Sequence, residues 1–253
     1  MSIFRELQKK IKEPSMYVID IGASSCVASD PVYEFLVDKE FKGLCIEGNI
    51  TKVEALRTRT HFDVYDNYIY PHTIVDVFQQ HRVPTTFDIL KIDIDGYDLE
   101  VLRRILAVYK PRIIVAEINE KIPPPIRFEV LYKENYAWDE SHLFGFSIAA
   151  GEKVFAEHGY HIQEIHELNN IICIDSSIYV SKERSVQQIY KEDYIDKLGR
   201  EKEFWWNSDV NYWLEMDDSD ELAFEITRYF AVENRRSTRG ERKQINIDYS
   251  LEY

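Results

Sequence analysis

The sequence predicts an α/β protein with a Rossmann-like, doubly wound and mostly parallel sheet. Short apolar runs at residues 16–24, 42–49, 86–95 and 112–119 have the length and composition of strands that are buried on both faces. Segments with helical spacing separate these runs, so strand and helix alternate along this part of the chain. Such alternation is typical of right-handed βαβ units, which place their strands parallel in one sheet.

The other elements follow from composition and turn signals. A third strand is expected within residues 62–71. Residues 121–141 are rich in proline and aromatic residues, and they predict an irregular loop. Residues 161–174 predict an antiparallel hairpin that closes the sheet, and the acidic, aromatic residues 181–253 predict a helical C-terminal appendage.

Composition and charge limit the class of protein. With 253 residues, of which 45% are hydrophobic and 30% charged, the chain can form an α/β domain with an appendage. A net charge of −14 repels phosphate backbones, so nucleic acid is not expected as a partner, although such a charge can also serve solubility alone. No run reaches the ~20 apolar residues that span a bilayer, and the amphipathic N-terminus lacks the apolar centre of a signal peptide. We therefore expect a cytoplasmic protein without a membrane span.

Glycines and polar side chains crowd the carboxyl ends of the predicted strands. Ligands of doubly wound sheets bind outside this edge, so the edge predicts the functional site. The candidates are Asp20, Gly22, Ala23 and Ser24 after the first strand, Glu47, Gly48 and Asn49 after the second, Asp93 and Asp95 after the fourth, and Glu117 and Asn119 after the fifth.

The first two strand ends indicate a nucleoside ligand. Gly22 allows the backbone to approach a ligand closely, and Glu47 can accept both hydrogen bonds of a ribose diol. A dinucleotide would need the pattern G-x-G-x-x-G for its phosphates, whereas the sequence reads G-A-S-S-C from Gly22 to Cys26. The missing phosphate cradle disfavours an NAD-dependent oxidoreductase and favours S-adenosylmethionine (SAM), a nucleoside without phosphates. Ser24 and Gly48 complete the predicted cofactor site.

Three aspartates surround Gly96 directly after the fourth strand, in the stretch KIDIDGYD. They suit the acidic rim of an active site, a calcium loop, or a strand-to-helix turn with capping carboxylates. A 12-residue calcium loop counted from Asp93 would place Arg104 where a bidentate acid is needed, which disfavours that interpretation. Asp98, in the first turn of the next helix, is expected to complement the helix N-terminus. Asp93 and Asp95 are therefore the candidates for chemistry.

Five stretches resemble FkbM-like class I SAM-dependent methyltransferases: VIDIGAS, GLCIEGN, FDILKIDIDGYDLEVLRRIL, KPRIIVAEIN and HLFGFSIAAGEKVFAEHGYHI. The resemblance covers residues 15–175 and implies a SAM-dependent enzyme. Since many such enzymes O-methylate sugars, it also implies a sugar or glycan as the acceptor. The cofactor residues that the resemblance implies are Asp20, Gly22 and Ala23 on the methionine side, Glu47 at the ribose hydroxyls, and Asp93 near the methionine amino group or a metal.

Methyl transfer to a hydroxyl needs a proton acceptor, because the pKa of the hydroxyl lies far above 7. A divalent cation can lower that pKa, and oxygen ligands suit Mg2+ or Mn2+. We predict Asp93, Glu117 and Asn119 as ligands of such a cation; direct binding of substrate hydroxyls by Glu117 and Asn119 is the alternative. We predict Asp95, Glu117 and His142 as catalytic residues. The alternative for His142 is an exposed loop histidine without a catalytic role.

The predicted domains are residues 1–180, the methyltransferase domain, and residues 181–253, an appendage that contacts the substrate or a second copy in a homo-oligomer. The expected partner is a sugar or glycan, either free or linked to a nucleotide or a lipid. Two alternatives are a methyltransferase for a non-sugar small molecule or phospho-linked group, and a non-catalytic SAM-binding protein. Tyr132, Tyr136 and Trp138 suit either stacking on sugar faces or fixing their loop to the domain.

Overall fold

The structure is a computed structural model that describes residues 2–167, 169–178, 184–236 and 243–248. Strands and helices alternate from the N-terminus to the fifth strand, as the sequence predicts. In chain order the elements are α1 (Ile3–Gln8), β1 (Tyr17–Ile21), α2 (Tyr33–Leu36), β2 (Lys42–Ile46), α3 (Ile50–Arg59), β3 (Asp63–Tyr65), α4 (Ile74–Gln80), β4 (Thr86–Ile92), α5 (Asp98–Leu106), β5 (Lys110–Glu117), β6 (Arg127–Leu131), α6 (Ile148–Glu157), β7 (Tyr160–His166), β8 (Asn170–Asp175), α7 (Val186–Tyr190), a π-helical turn (Lys191–Ile195), α8 (Arg200–Glu203), two 3-10 turns (Trp205–Asn207 and Asn211–Glu215), α9 (Ser219–Arg236) and β9 (Gln244–Asp248).

Seven strands form the main sheet in the order β3-β2-β1-β4-β5-β8-β7. Strands β1 to β5 are parallel, whereas β8 is antiparallel to both β5 and β7. The predicted fold class is confirmed, including the closing antiparallel hairpin. Because the strand order reverses between β1 and β4, their carboxyl ends border the crevice in which ligands of such sheets bind.

Apolar side chains cover both faces of the main sheet. Ile105 of α5 and Phe155 of α6 belong to the buried cluster on one face. Phe4 of α1, Phe35 of α2 and Leu56 of α3 belong to the cluster on the other. This double coverage explains why the strands read as near-continuous apolar runs. Among the helices of the described ranges, none is both long and apolar enough to cross a membrane.

A second, two-stranded sheet joins β6 to β9 in antiparallel pairing. The prediction of an irregular loop over residues 121–141 is therefore wrong for Arg127–Leu131. The three prolines, 123–125, precede the strand and do not interrupt it. Within the strand Phe128 and Val130 alternate with polar residues, and both are fully buried. This period of two is the signal of a half-buried strand, and the prolines outweighed it in the prediction.

Within residues 184–236 and 243–248 the structure is mainly helical, as predicted for the appendage, and β9 is the last element described. This C-terminal segment packs against the segment between β5 and α6 through a third apolar cluster, in which Trp213 and Phe230 are fully buried. The rings of Phe128 and Phe230 stack with their centroids 4.8 Å apart. This segment therefore contacts the part of the chain that leads away from the carboxyl end of β5. The division into domains 1–180 and 181–253 stays a prediction.

Candidate active site

The turn after β1 is fitted between the ends of β2 and β4. The backbone N–H groups of Gly22 and Ala23 both donate to the Ile46 carbonyl, at 2.9 and 3.1 Å. Gly22 has a φ of +78°, and a Cβ atom placed there would lie 1.8 Å from the carbonyl oxygen of Asp93. Ser24 also has a positive φ, of 49°. Two residues of this turn thus have the positive φ that glycine favours, although the turn lacks the pattern G-x-G-x-x-G of a phosphate site.

Lys91 lies beneath this turn, and the sequence analysis did not identify it. Its side chain is only 2% exposed, and Nζ lies 3.4 Å from Asp20 Oδ1, 3.4 Å from Asp30 Oδ2 and 3.6 Å from Asp93 Oδ2. Nζ also donates to the Gly22 carbonyl at 3.0 Å. The sequence does contain a signal for this cluster, because a lysine within a strand buried on both faces requires buried partners of opposite charge.

Asp20 is fully buried at the end of β1. In the described part of the chain neither of its carboxylate oxygens has a hydrogen-bond partner, although Oδ1 lies within ion-pair distance of Lys91. Burial raises the pKa of Asp20 to about 8, and the nearby charge of Asp30 contributes to the rise. Unpartnered carboxylate oxygens at the strand end fit a ligand that brings hydrogen-bond donors.

Glu47 follows β2 directly and is 8% exposed. Its Oε1 atom accepts a hydrogen bond of 2.7 Å from the backbone N–H of Asn49, and the Asn49 side chain caps α3. A Cβ atom at Gly48 would lie 2.5 Å from the ring of Tyr68, which is 61% exposed and covers this glycine. The second strand end therefore presents a fixed carboxylate beside an exposed aromatic ring, an arrangement suited to a nucleoside.

Asp93, Asp95 and Glu117 converge at the ends of β4 and β5. Each offers one carboxylate oxygen, and these three oxygens lie within 4.8 Å of one another. In the described part of the chain no other group of three His, Cys, Asp or Glu side chains meets this condition. The structure thus brings together two predicted metal ligands, Asp93 and Glu117, and adds Asp95, which was predicted as catalytic.

The local backbone directs Asp95 toward this cluster. Asp95 adopts a left-handed conformation with a φ of +52°. The carboxylate of Asp98 stabilises the turn, because it accepts hydrogen bonds of 2.9 Å from the backbone N–H groups of Ile94 and Gly96. Asp98 therefore shapes the turn that carries Asp95.

Burial and mutual repulsion dominate the electrostatics of the three carboxylates. Burial raises the pKa of Asp95 to about 6, and the charge of Asp93 adds to the effect. Burial also raises the pKa of Glu117 well above its ordinary value, with further contributions from Asp93, Asp95 and Asp98. Asn169 donates to Glu117 Oε1 at 2.7 Å, whereas Oε2 is buried and has no partner in the described part of the chain. A bound cation would relieve this repulsion.

Asn119, which is predicted as a metal ligand, binds the loop before α6 through its side-chain amide. Its side-chain amide donates to the carbonyl groups of His142 at 2.8 Å and Phe144 at 2.9 Å. It thus fixes the loop before α6 to the end of β5. The Oδ1 atom is buried, and it has no hydrogen-bond partner within the described ranges. The prediction that Asn119 ligates a cation remains open.

The loop that carries His142 lies against the carboxylate cluster. The Tyr136 hydroxyl donates to the Asp95 carbonyl at 2.8 Å and to the Leu143 carbonyl at 3.3 Å. The backbone N–H of Gly145 donates to the Gly96 carbonyl at 2.9 Å. Tyr136 was predicted either to stack on a sugar or to fix its loop to the domain. These contacts correspond to the second role.

His142 itself contacts the C-terminal segment. Its Nε2 atom lies 3.2 Å from Asp209 Oδ1, and its backbone N–H donates to Glu233 Oε1 at 3.2 Å. Burial lowers the pKa of His142, and the positive charge of Lys121 lowers it further. The imidazole is therefore biased toward its neutral form, which can accept a proton.

Glu120 and Lys121 form a buried polar pair that sequence reasoning missed. Lys121 is 2% exposed, with Nζ 3.8 Å from Glu120 Oε1 and 4.3 Å from the ring centroid of Phe144. Burial lowers the pKa of Lys121. The side-chain amide of Asn207, in the C-terminal segment, donates to Glu120 Oε1 at 2.6 Å. The position of these two polar residues, shortly after the apolar run of β5, was the signal in the sequence that could have indicated the pair.

The sheet topology and the strand-end residues agree with a SAM-dependent methyltransferase. A glycine turn without a phosphate cradle, a carboxylate after β2 and an acidic cluster after β4 and β5 all border one edge of the sheet. Residues 11–170 match the model of the methyltransferase FkbM domain. The chain belongs to this family of SAM-dependent methyltransferases.

Comparison with other proteins yields distant structural similarities. No curated protein matches the chain. Among solved structures, the sugar N-methyltransferase KedS8 from Streptoalloteichus sp ATCC 53650 is 10% identical, with a TM-score of 0.42, over 68% of this chain and 85% of that chain. The N-terminal domain of EvdMO1 with SAH bound is 10% identical, with a TM-score of 0.44, over 68% of this chain and 78% of that chain. A SAM-dependent methyltransferase from Aquifex aeolicus is 12% identical, with a TM-score of 0.38, over 67% of this chain and 87% of that chain.

Proposed function

We propose that the protein transfers a methyl group from SAM to a hydroxyl of a sugar or glycan, assisted by a divalent cation. The observation that carries this proposal is the convergence of Asp93, Asp95 and Glu117 beside the turn after β1. Carboxylates gathered at the carboxyl edge of the sheet suit chemistry on a hydroxyl, since they can hold a cation or accept hydrogen bonds.

The residues at the first two strand ends fit SAM. Asp20 supplies buried, unpartnered carboxylate oxygens within the described part of the chain, and Gly22 lets the turn after β1 lie directly against the Asp93 carbonyl. Glu47 would bind the ribose hydroxyls, and Tyr68 beside Gly48 would lie against the nucleoside. When bound, SAM supplies the electrophilic methyl group.

The carboxylate cluster fits Mg2+ or Mn2+. Both ions prefer oxygen ligands, and three oxygens within 4.8 Å of one another can coordinate one ion. A cation bound there would lower the pKa of the acceptor hydroxyl. Asp93, Asp95 and Glu117 would hold the ion, and His142 in the adjoining loop would accept the hydroxyl proton.

A sugar acceptor agrees with the surroundings of the cluster. Trp138 lies in the loop after β6, is 37% exposed, and offers a flat apolar face of the kind on which sugar rings pack. Carboxylates at the rim can accept hydrogen bonds from sugar hydroxyls. The resemblance to sugar-modifying FkbM-like enzymes favours the same class of acceptor.

The test is a methyl-transfer assay with the metal-stripped protein. SAM would be combined with free, nucleotide-linked and lipid-linked sugars, with non-sugar alcohols and with phosphate compounds, each in the presence of Mn2+, Mg2+ or EDTA. We expect S-adenosylhomocysteine and a methylated sugar, both dependent on the cation, by mass spectrometry. Methylation of only non-sugar acceptors would reject the sugar, and full activity in EDTA would reject the cation.

A further inference from the structure

The C-terminal segment holds the loop of residues 139–144 at three points. Asp209 contacts the ring of His142, and Glu233 of α9 accepts the hydrogen bond of its backbone N–H. Lys243, the residue before β9, has its Nζ atom bonded to Asp139, to Ser141 Oγ at 3.0 Å and to the Leu143 carbonyl at 3.2 Å. These anchors come from three separate parts of the C-terminal segment.

The same loop is bonded to the carboxylate cluster from its other side. Leu143, next to His142, shares the Tyr136 hydroxyl with the Asp95 carbonyl. Asn119, two residues after Glu117, donates to the His142 carbonyl. The backbone of His142 is therefore bonded to the residue that follows β5, whereas its ring contacts the C-terminal segment, so its position depends on both.

The contact with Asp209 determines which nitrogen of His142 carries the proton. The pKa of Asp209 is lowered, because hydrogen bonds from Tyr229 and the neighbouring His142 outweigh the effect of burial. An ionised carboxylate only accepts hydrogen bonds, so Nε2 of His142 must be the donor. In the neutral imidazole Nδ1 then holds the lone pair.

Tyr229 holds the Asp209 carboxylate in place. Its hydroxyl donates to Asp209 Oδ2 at 2.6 Å, while Oδ1 faces His142. The rings of His142 and Tyr229 are also in contact, with centroids 5.9 Å apart. One oxygen of Asp209 thus faces each of these two side chains, and the bond from Tyr229 restrains the carboxylate beside His142.

We propose that Asp209 is a positioning residue of the active site, which holds His142 with Nδ1 as the atom that accepts the proton of the acceptor hydroxyl. This inference rests on the proposed function. In the step, the acceptor oxygen forms a bond to the methyl carbon as the carbon–sulfur bond breaks, and the hydroxyl proton passes to Nδ1. The products are a methyl ether, S-adenosylhomocysteine and a proton that His142 later releases to water. The C-terminal segment is thereby part of the active site.

The test combines kinetics with NMR on Asp209→Asn. The asparagine amide can donate to Nε2, which would move the imidazole proton to Nδ1. We expect kcat to fall about tenfold or more, since correctly placed acid–base catalysis typically contributes at least that much, while KM for SAM changes less than about twofold. Long-range proton–nitrogen NMR of 15N-histidine-labelled protein is expected to show Nε2–H in the wild type and a shift toward Nδ1–H in the variant.

Two further variants separate positioning from folding. Tyr229→Phe keeps the Asp209–His142 contact and is expected to lower kcat less than Asp209→Asn does. Glu225→Gln, on the same helix, affects only the exposed pair with Arg228 and is expected to leave kcat and the tautomer unchanged. An Asp209→Asn variant with unchanged tautomer overturns the inference, whether or not kcat falls. If the wild type methylates no acceptor, the proposed function fails, yet the NMR comparison still decides the role of Asp209.

Discussion

Gly22 lies so close to Asp93 that a Cβ atom at position 22 would sit 1.8 Å from the Asp93 carbonyl oxygen. The turn that is predicted to face the cofactor and the strand end that carries the carboxylate cluster are therefore in direct backbone contact. A displacement of either one must displace the other, because atoms at this distance cannot coexist and close-packed interiors do not compress.

Gly22→Ala is expected to destabilise the protein by about 3 kcal/mol or more and to abolish SAM binding, because the methyl group meets backbone and the residue has a positive φ. Gly199→Ala is the matched control. Its φ is +85°, but among the described residues nothing apart from its chain neighbours and the adjoining helix backbone lies within 4 Å of the added Cβ. This variant should lose only about 1–2 kcal/mol, the cost of a left-handed residue. Urea unfolding and calorimetric titration with SAM measure both effects. Equal losses in the two variants would contradict the role of close contact.

Lys91→Met is expected to destabilise the protein by about 3–5 kcal/mol, because it leaves Asp20, Asp30 and Asp93 without their shared buried cation. Lys110→Met provides the comparison. Lys110 pairs with Asp175 at 2.8 Å, but its side chain is 40% exposed, so the loss should not exceed about 1 kcal/mol. Denaturant midpoints of the two variants give the answer. If Lys91→Met were no more harmful than Lys110→Met, the buried ion cluster would contribute nothing to stability.

Glu47→Gln is expected to weaken SAM binding by about 1–3 kcal/mol, since a carboxylate can accept both ribose hydroxyls and an amide cannot. The glutamine oxygen can still accept the hydrogen bond from Asn49, so the turn is retained. Glu54→Gln, an exposed change on α3, should leave the affinity unchanged. Isothermal titration with SAM measures both. An unaltered Kd for Glu47→Gln would remove this residue from the ribose site.

Asp93→Asn is expected to lower the affinity for Mn2+ at least about tenfold and to abolish turnover, because one of three charged ligands is lost. Asp76→Asn, an exposed change in α4, is the control. Electron paramagnetic resonance of free Mn2+ reports binding directly, without reference to activity. Wild-type protein that leaves Mn2+ free at millimolar concentration would argue against a metal site.

The metal-free protein is expected to lose stability as the pH rises from about 4 to about 7. Burial raises the pKa of Asp95 to about 6 and the pKa of Glu117 well above its ordinary value. The folded state therefore binds these protons more tightly than the unfolded state, whose carboxyl pKa values are about 4. Their contribution is complete below the unfolded values and is lost as the pH passes the folded ones.

Urea unfolding at several pH values measures this dependence, and the double variant Asp95→Asn with Glu117→Gln is expected to show a weaker one. Mn2+ should stabilise the wild type more at pH 7 than at pH 5, because the ion binds the ionised carboxylates. If the free energy of unfolding depended on pH equally in the wild type and the double variant, other groups would cause the effect.

The sequence predicted that carboxylates at the strand ends come together, because local pattern and sheet geometry coincide there. Asp93 and Glu117 each follow a buried parallel strand, and neighbouring parallel strands bring such ends together. The prediction for Asn119 used the same rule but could not include the loop carbonyls that its amide binds. A strand-end position therefore specifies the neighbourhood of a side chain, whereas its hydrogen-bond partners depend on loops.

The contacts that escaped prediction join residues far apart in the chain. Lys91 meets Asp20 across paired strands, and His142 meets Asp209 over 67 residues. The pairing of β6 with β9 was missed for the same reason, although the alternation within β6 was a local signal of a strand. Pairings of this kind leave no periodic signal in a single sequence.

The pairing of β6 with β9 also affects the order in which the enzyme matures. Arg127 and Asp248, which face each other in this sheet, are separated by 121 residues. A nascent polypeptide can form the β-strands from β1 to β5 while its last helices are still being synthesised, but the loop that holds His142 must wait for Lys243. The cofactor pocket would thus be ready before the acceptor side is fixed, and closing so long a loop makes this the late, slow stage of folding.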